Sequence, residues 1–229
     1  MRHVIETQNL CKIYESKAEK IYAVKDVTLK VEKSEFIAIT GPSGSGKTTL
    51  LNMIGGLDKP SSGSVKINGM ELSMMSENKL IDFRLNNIGF VFQAYNLIPV
   101  LTAKENAEFV MLLQNTPKKL REQRVLSLLN EVGLSDKLNK RPLELSGGQQ
   151  QRVAVVRALA SKPQFILADE PTANLDFLAA SNLLDIMTQL NREEQLTFIF
   201  STHDQRVIDR AKRVIKLEDG KIVSDVTAG

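Results

Sequence analysis

The chain has 229 residues, 30 Lys+Arg against 27 Asp+Glu and 42% hydrophobic residues. That is enough apolar material for a core, and the composition excludes a disordered, collagen-like or low-complexity protein. A formal net charge of +3, with bases interleaved among acids, argues against nucleic acid as a partner. One cysteine, Cys11, allows no internal disulfide. Neither a signal peptide nor a run of about 18 apolar residues occurs, so the chain is expected to be cytosolic.

Short β-branched and aromatic runs alternate with helical patterns, which predicts an α/β core. In chain order, strands are predicted at His3–Thr7, Val27–Val31, Phe36–Thr40, Ser64–Ile67, Ile88–Phe92, Phe165–Ala168, Thr197–Ser201 and Val214–Leu217. Phe36–Ile39 and Phe165–Ala168 are apolar at every position, as strands buried on both faces should be. From about Leu101 to Ser161 the pattern is helical, punctuated at Pro117, Gly133, Pro142 and Gly147-Gly148. This stretch reads as a helical subdomain inserted into the core. Asp219-Gly220 marks a hairpin turn within Leu217–Ile222. No internal repeat and no Gly-, Ser- or Pro-rich linker divides the chain.

Gly41-Pro42-Ser43-Gly44-Ser45-Gly46-Lys47-Thr48 fits GxxxxGK[ST] between the predicted strand Phe36–Thr40 and a helical run, Thr48–Ile54. A P-loop requires that setting. The glycines let successive N–H groups turn toward one anion, and the helix start adds partial positive charge. Lys47 is placed to reach the β- and γ-phosphates, and the Thr48 hydroxyl to ligate Mg²⁺; Thr49 continues the binding loop. The four fixed positions arise by chance in roughly one chain in a hundred of this length. The strand and helix context lowers that further and favours a nucleotide over a plain Gly/Ser turn.

Phe165-Ile166-Leu167-Ala168-Asp169-Glu170 places two carboxylates at the C-terminal end of a buried strand, where open α/β sheets bind ligands. Beside a P-loop the two acids divide the work. Asp169 holds Mg²⁺, directly or through water, and Glu170 polarises the attacking water. Leu145-Ser146-Gly147-Gly148-Gln149, ahead of the helical run Gln150–Ala160, supplies a second anion-binding helix start or an ordinary Ser-capped helix.

With LSGGQ in place, the sequence resembles the ATP-binding cassette (ABC) family from Val4 to about Val223. The resemblance implies an α/β fold: a P-loop NTPase core with an antiparallel β subdomain and an inserted α-helical subdomain, residues 1–229 forming one ABC ATPase domain. It also implies roles for single residues. Gln93 matches the glutamine that contacts Mg²⁺ and the γ-phosphate region, His203 the switch histidine, and Asp176 the D-loop that communicates across a dimer. Tyr14 matches the aromatic that stacks on adenine. Tyr22 is a second aromatic candidate, but Ile21-Tyr22-Ala23-Val24 reads as strand packing; His3 and Cys11 read as structural. The expected catalytic residues are Glu170, His203 and Lys47. The expected ATP contacts are Tyr14, Gly41 to Thr49, Gln93, Ser146, Gly147, Gly148, Gln149 and Asp176. Thr48, Gln93 and Asp169 are the expected Mg²⁺ ligands.

Sequence alone leaves open whether the signature faces its own P-loop. The family pairs cassettes head to tail, which implies a second copy of this chain as partner. Leu50–Asp58, Phe92–Pro99, Leu101–Asn106 and Asp169–Asp176 look closest to ATPases of lipoprotein-release and macrolide- or peptide-export systems, with the cell-division ATPase as a relative. That resemblance implies a separate transmembrane permease, docked near Ala94–Val100, and a peripheral location on the inner face of the cell membrane. The alternative is a mechanotransmitter regulating a cell-wall or division complex. A wholly soluble ABC ATPase ranks third. Two departures from the family pattern stand out. Lys33-Ser34-Glu35 replaces a Gly-Glu turn, and Ala173 replaces Ser or Gly. The chain's short end implies no added regulatory domain, and the absence of NKxD argues against a GTPase.

Overall fold

The computed structural model describes residues 3–15 and 19–227. Two sheets carry the fold. The first is antiparallel, in the order β2-β1-β4-β5, from β1 (His3–Glu15), β2 (Lys20–Glu32), β4 (Ser62–Ile67) and β5 (Met70–Glu71). The second runs β10-β9-β3-β8-β7-β6, from β3 (Phe36–Thr40), β6 (Ile88–Val91), β7 (Phe165–Asp169), β8 (Thr197–Ser201), β9 (Arg213–Glu218) and β10 (Lys221–Thr227). Its strands pair in parallel except for the β9–β10 hairpin, which turns at Asp219-Gly220.

The helices are α1 (Lys47–Ile54), α2 (Glu77–Asn87), α3 (Ala103–Leu113), α4 (Lys118–Glu131), α5 (Gly147–Ala160), α6 (Phe177–Glu193) and α7 (Gln205–Ile208). Between β6 and β7, helices α3, α4 and α5 pack on one another. Met111, Leu128 and Val156 of those helices join Phe36, Ile166, Phe198 and Phe200 of the parallel sheet in one buried cluster. The rings of Phe36 and Phe200 lie 4.7 Å apart, a tilted contact that adds to the roughly 1.5–3 kcal/mol each such side chain gains by burial. A second cluster joins Ile37, Ile39 and Leu167 to α1 and the antiparallel sheet. Side chains on the two faces of β3 therefore enter two different cores, which is why that strand is apolar throughout.

The predicted strand Thr197–Ser201 matches β8 end to end, and most others match within two residues. The large difference is the β1–β2 hairpin, which continues well past the predicted His3–Thr7 and begins before Val27–Val31. Register shifts between Thr7 and Leu10 and between Leu10 and Lys12, with Asn9 at φ 47°, break the alternation that marks a strand. The Lys33-Ser34-Glu35 departure also has a local account. Ser34 takes φ 63°, a glycine-like conformation. It is held there because its N–H donates to Thr197 Oγ1 and its hydroxyl to the Gln195 carbonyl, each at 2.9 Å. Among the described residues, no helix is long and apolar enough to cross a membrane.

Candidate active site

The P-loop follows β3, Gln93 follows β6, Glu170 follows β7 and His203 follows β8. These are neighbouring parallel strands, so the fold gathers the four segments at one edge of the sheet. They line a cavity of about 920 Å³ with Gly41 to Gly44, Gly46, Lys47, Thr48, Thr49 and Ala173 among its walls.

Gly41, Gly44 and Gly46 have φ values of 147°, 79° and 100°. At two of them a side chain is also barred by space. A Cβ on Gly41 would stand 2.0 Å from the Leu217 carbonyl oxygen, and one on Gly46 would stand 2.1 Å from that of Ala23. The loop therefore curls directly into the start of α1, the kind of turn whose backbone N–H groups can bind an anion. The Lys47 ammonium, 8% exposed as a residue, donates to the carbonyls of Gly41 at 2.9 Å and Pro42 at 3.0 Å. Such a concave nest of donors and positive charge fits a polyphosphate.

The Thr48 hydroxyl lies 3.0 Å from both Asp169 carboxylate oxygens. One hydroxyl and one carboxylate at the rim of a phosphate cradle suit Mg²⁺, a hard ion that usually keeps few protein ligands and shares the rest with phosphate and water.

Glu170 leaves β7 with φ 45°, a strained conformation of the kind that persists where surrounding bonds enforce it. Its N–H donates to the Ser201 carbonyl at 2.9 Å. Its side chain, 15% exposed, accepts from His203 Nδ1 at 2.8 Å. The Thr202 hydroxyl lies 3.4 Å from the second carboxylate oxygen.

Asp204, beside His203, accepts from Thr172 Oγ1 at 2.6 Å and from the Arg206 guanidinium, with Arg206 Nη2 2.7 Å away. This clamps the histidine loop to the loop that follows Glu170. Burial alone would raise the Asp204 carboxyl, but the Arg206 and Thr172 hydrogen bonds outweigh it and lower the pKa from 3.8 to about 2. A carboxyl depressed on folding contributes stability above its unfolded pKa and loses it as pH falls through the folded one. Asp204→Asn should therefore cost about 2 kcal/mol at neutral pH. Its urea stability should also decline less than the parent's between pH 4 and pH 2. Parallel pH profiles for the two chains would show that the clamp contributes nothing.

The signature occupies a different place. Ser146 caps α5 by accepting from the Gln149 N–H at 3.3 Å, so the ordinary capping role is present alongside whatever else the segment does. Ser146, Gly147, Gly148, Gln149 and Asp176 line a recess of about 240 Å³, and none of them lines the P-loop cavity. Asp176 caps α6, accepting from the Ala179 N–H at 2.8 Å. The recess joins the side of Gln93 through Asn174, whose amide donates to the Gln93 carbonyl at 3.0 Å.

The aromatic candidates divide unexpectedly. Tyr14 is not among the cavity's walls, and its hydroxyl donates to Asp58 Oδ2 at 2.7 Å. Burial and that carboxylate push its phenol up, while the Thr49 hydroxyl opposes them. Tyr22 does line the cavity and is 49% exposed, which corrects its reading as strand packing. The first residues of β2, Lys20, Ile21 and Tyr22, are exposed, so their side chains enter no core. Lys20 and Lys25 line the cavity as well. No motif marks them, since they are brought there only by the hairpin's extra length.

The ABC transporter family matches residues 24–173. An uncharacterized ABC transporter ATP-binding protein of Methanocaldococcus jannaschii is 48% identical over 220 residues, covering 96% of this chain and 98% of that protein. The lipoprotein-releasing system ATP-binding protein LolD of Syntrophus aciditrophicus is 42% identical over 221 residues, covering 96% and 99%. Among solved structures, the dimeric post-hydrolysis state of the ATP-binding cassette MJ0796 bound to ADP and Pi superposes with a TM-score of 0.92. It is 41% identical, covering 98% of this chain and 99% of that one.

Proposed function

The chain belongs to the ABC transporter family, and from that membership we propose that it is the ATP-hydrolysing subunit of an export or lipoprotein-release system, driving a separate transmembrane permease. One observation carries the reading. The phosphate cradle, Thr48, Gln93 and the Glu170–His203 pair line one cavity, with Asp169 bonded to the Thr48 hydroxyl, while the signature lies in a recess of its own. A site divided in this way is completed by a second copy docked head to tail, as closed two-fold pairing allows. The dimeric cassette bound to ADP and Pi supports that arrangement.

ATP is the substrate. The P-loop amides and Lys47 bind its phosphates. Tyr14, outside the cavity's walls but in hydrogen-bond contact with the Thr49 side chain of the loop, is the platform for its base by family resemblance. Glu170 accepts a proton from water as the water oxygen bonds to the γ-phosphorus and the bond to the ADP oxygen breaks. His203 holds the Glu170 carboxylate in place, and the charge that develops falls on Lys47 and the loop amides. Mg²⁺, when held by Thr48, Asp169 and Gln93, supplies Lewis-acid neutralisation of phosphate charge.

The permease contact is assigned to an apolar groove of about 430 Å³, lined by Leu57, Ile81, Phe90, Phe92, Asn96 and Val110. It takes in part of the segment near Ala94–Val100, and a short amphipathic helix is the occupant such a groove suits. On this reading the chain works on the cytoplasmic face of the membrane. Tagged chain purified from detergent extracts should bring down a membrane-spanning protein that changes its ATPase rate. Full, unresponsive ATPase activity with no membrane protein attached would remove the transport assignment and leave only the ATPase.

A further inference from the structure

The Tyr14 ring is held at two points. Its hydroxyl donates to Asp58 Oδ2 at 2.7 Å, and the Lys12 ammonium sits 5.0 Å from its centroid. Lys12 is itself fixed, bonded to Asp58 Oδ1 and to the Lys59 carbonyl, the latter at 2.7 Å. The carboxylate and ammonium side chains are 27% and 13% exposed, against 45% for Tyr14 as a residue. The support is thus better enclosed than the ring it holds.

The segment carrying Asp58 has two attachments. On one side, the Leu57 and Asp58 N–H groups donate to the Asn52 carbonyl in α1 at 2.8 and 3.2 Å. On the other, the Ser61 N–H donates to the Cys11 carbonyl at 2.8 Å and the Ser61 hydroxyl accepts from the Ile13 N–H at 3.0 Å. The same helix α1 therefore carries the phosphate cradle at its N-terminus and anchors the Tyr14 support just beyond its C-terminus.

We propose that Asp58 and Lys12 are positioning residues that orient the Tyr14 ring at a set distance from the phosphate cradle, leaving one ring face for the nucleobase. The proposal rests on Tyr14 being the base platform. Lys12 occupies one face of the ring as a cation–π partner, so a base has only the other. Tethering the hydroxyl removes rotamer freedom before the nucleotide arrives, and preorganisation of that kind is recovered as affinity. The partners of Asp58 are consistent with a carboxylate built into this support. Burial would raise its pKa, and Lys12 and Tyr14 together hold it below the usual value.

The test compares ADP with inorganic pyrophosphate by titration calorimetry on the whole chain. Asp58→Ala and Tyr14→Phe should each weaken ADP roughly three- to tenfold and leave pyrophosphate unchanged. The double variant should be no worse than Asp58→Ala, and Asp58→Asn, which keeps an acceptor oxygen, should recover most of the loss. Wild-type ADP affinity in Asp58→Ala and Tyr14→Phe, with a clear loss in Tyr14→Ala, would overturn the positioning role and leave the platform standing. Equal loss of ADP and pyrophosphate in Asp58→Ala would overturn it too, exposing general damage around α1. No loss in Tyr14→Ala overturns the platform itself, and a loss confined to Tyr22→Ala would move the base to that ring.

Discussion

Glu170→Gln should bind ATP as the parent chain does, hydrolyse it roughly 10²- to 10⁴-fold more slowly, and accumulate as a nucleotide-bound dimer. The substitution is nearly isosteric, and the structure shows why it should be tolerated. The amide oxygen can still accept from His203 Nδ1, now 2.8 Å from the carboxylate, and the Thr202 hydroxyl, 3.4 Å from the other oxygen, can accept from the new NH₂. The lost property is basicity, since an amide does not take up the proton of the attacking water. The phosphate cradle is untouched, so affinity survives. With turnover blocked, the step that would separate the two copies does not occur. Phosphate release measured beside light scattering with ATP present reads both consequences. Near-normal hydrolysis by this variant would falsify the assignment of Glu170 as catalytic base.

The placement of two carboxylates, Asp169 and Glu170, at the end of a buried strand is legible in the sequence, and so is most of the parallel sheet. Phe36–Ile39 and Phe165–Ala168 are buried on both faces, and a strand so enclosed has a sequence with little ambiguity. The β1–β2 hairpin is a different case. Its outer half is exposed and interrupted by register shifts, so hydrophobic alternation carried no signal there. The same missing signal left Tyr22, Lys20 and Lys25 unassigned to the cavity, and the support of Tyr14 unseen. Asp58 is separated from Tyr14 by 44 positions and reaches it only because α1 and the turn after it fold back onto β1.

Motifs of the site follow the same division. A P-loop is a continuous segment whose glycines are demanded locally, at Gly41 and Gly46 by carbonyls 2.0 and 2.1 Å from an added Cβ. Its chemistry can be read from one stretch of residues. The Thr172–Asp204–Arg206 clamp joins two loops that are distant in sequence, and each residue alone looks like an ordinary polar surface group. The relation of the signature to the P-loop is a third kind. No pattern within either segment encodes it. It follows from the placement of α5 relative to β3, and the structure gives the two segments separate recesses.

Lys47→Ala should lose both ATP affinity and turnover, where Glu170→Gln loses turnover alone. An ammonium has three donors, and two of those of Lys47 hold the carbonyls of Gly41 and Pro42. A third remains for a phosphate oxygen, so one side chain both shapes the cradle and charges it. A hydrogen bond to a charged group contributes about 1.5–3 kcal/mol, which sets the expected loss of ATP affinity at roughly ten- to a hundredfold before any effect on the loop. Hydrolysis should fall further, because charge builds on the phosphoryl oxygens in the transition state and the cation is then missed most. The Pro42 carbonyl keeps the Ser45 N–H at 3.2 Å, but that of Gly41 loses the Lys47 donor, which costs stability of order 1–3 kcal/mol, so a lowered melting temperature is expected. Lys47→Arg tests whether charge alone suffices. Its planar fork is larger than the ammonium and does not match the two converging carbonyls, so it should restore charge without restoring affinity. ATP titration and steady-state phosphate release on the three chains decide the matter. Unchanged affinity and rate in Lys47→Ala would take the P-loop out of the mechanism. Full rescue by Lys47→Arg would reduce Lys47 to a diffuse positive charge and make the Gly41 and Pro42 contacts incidental.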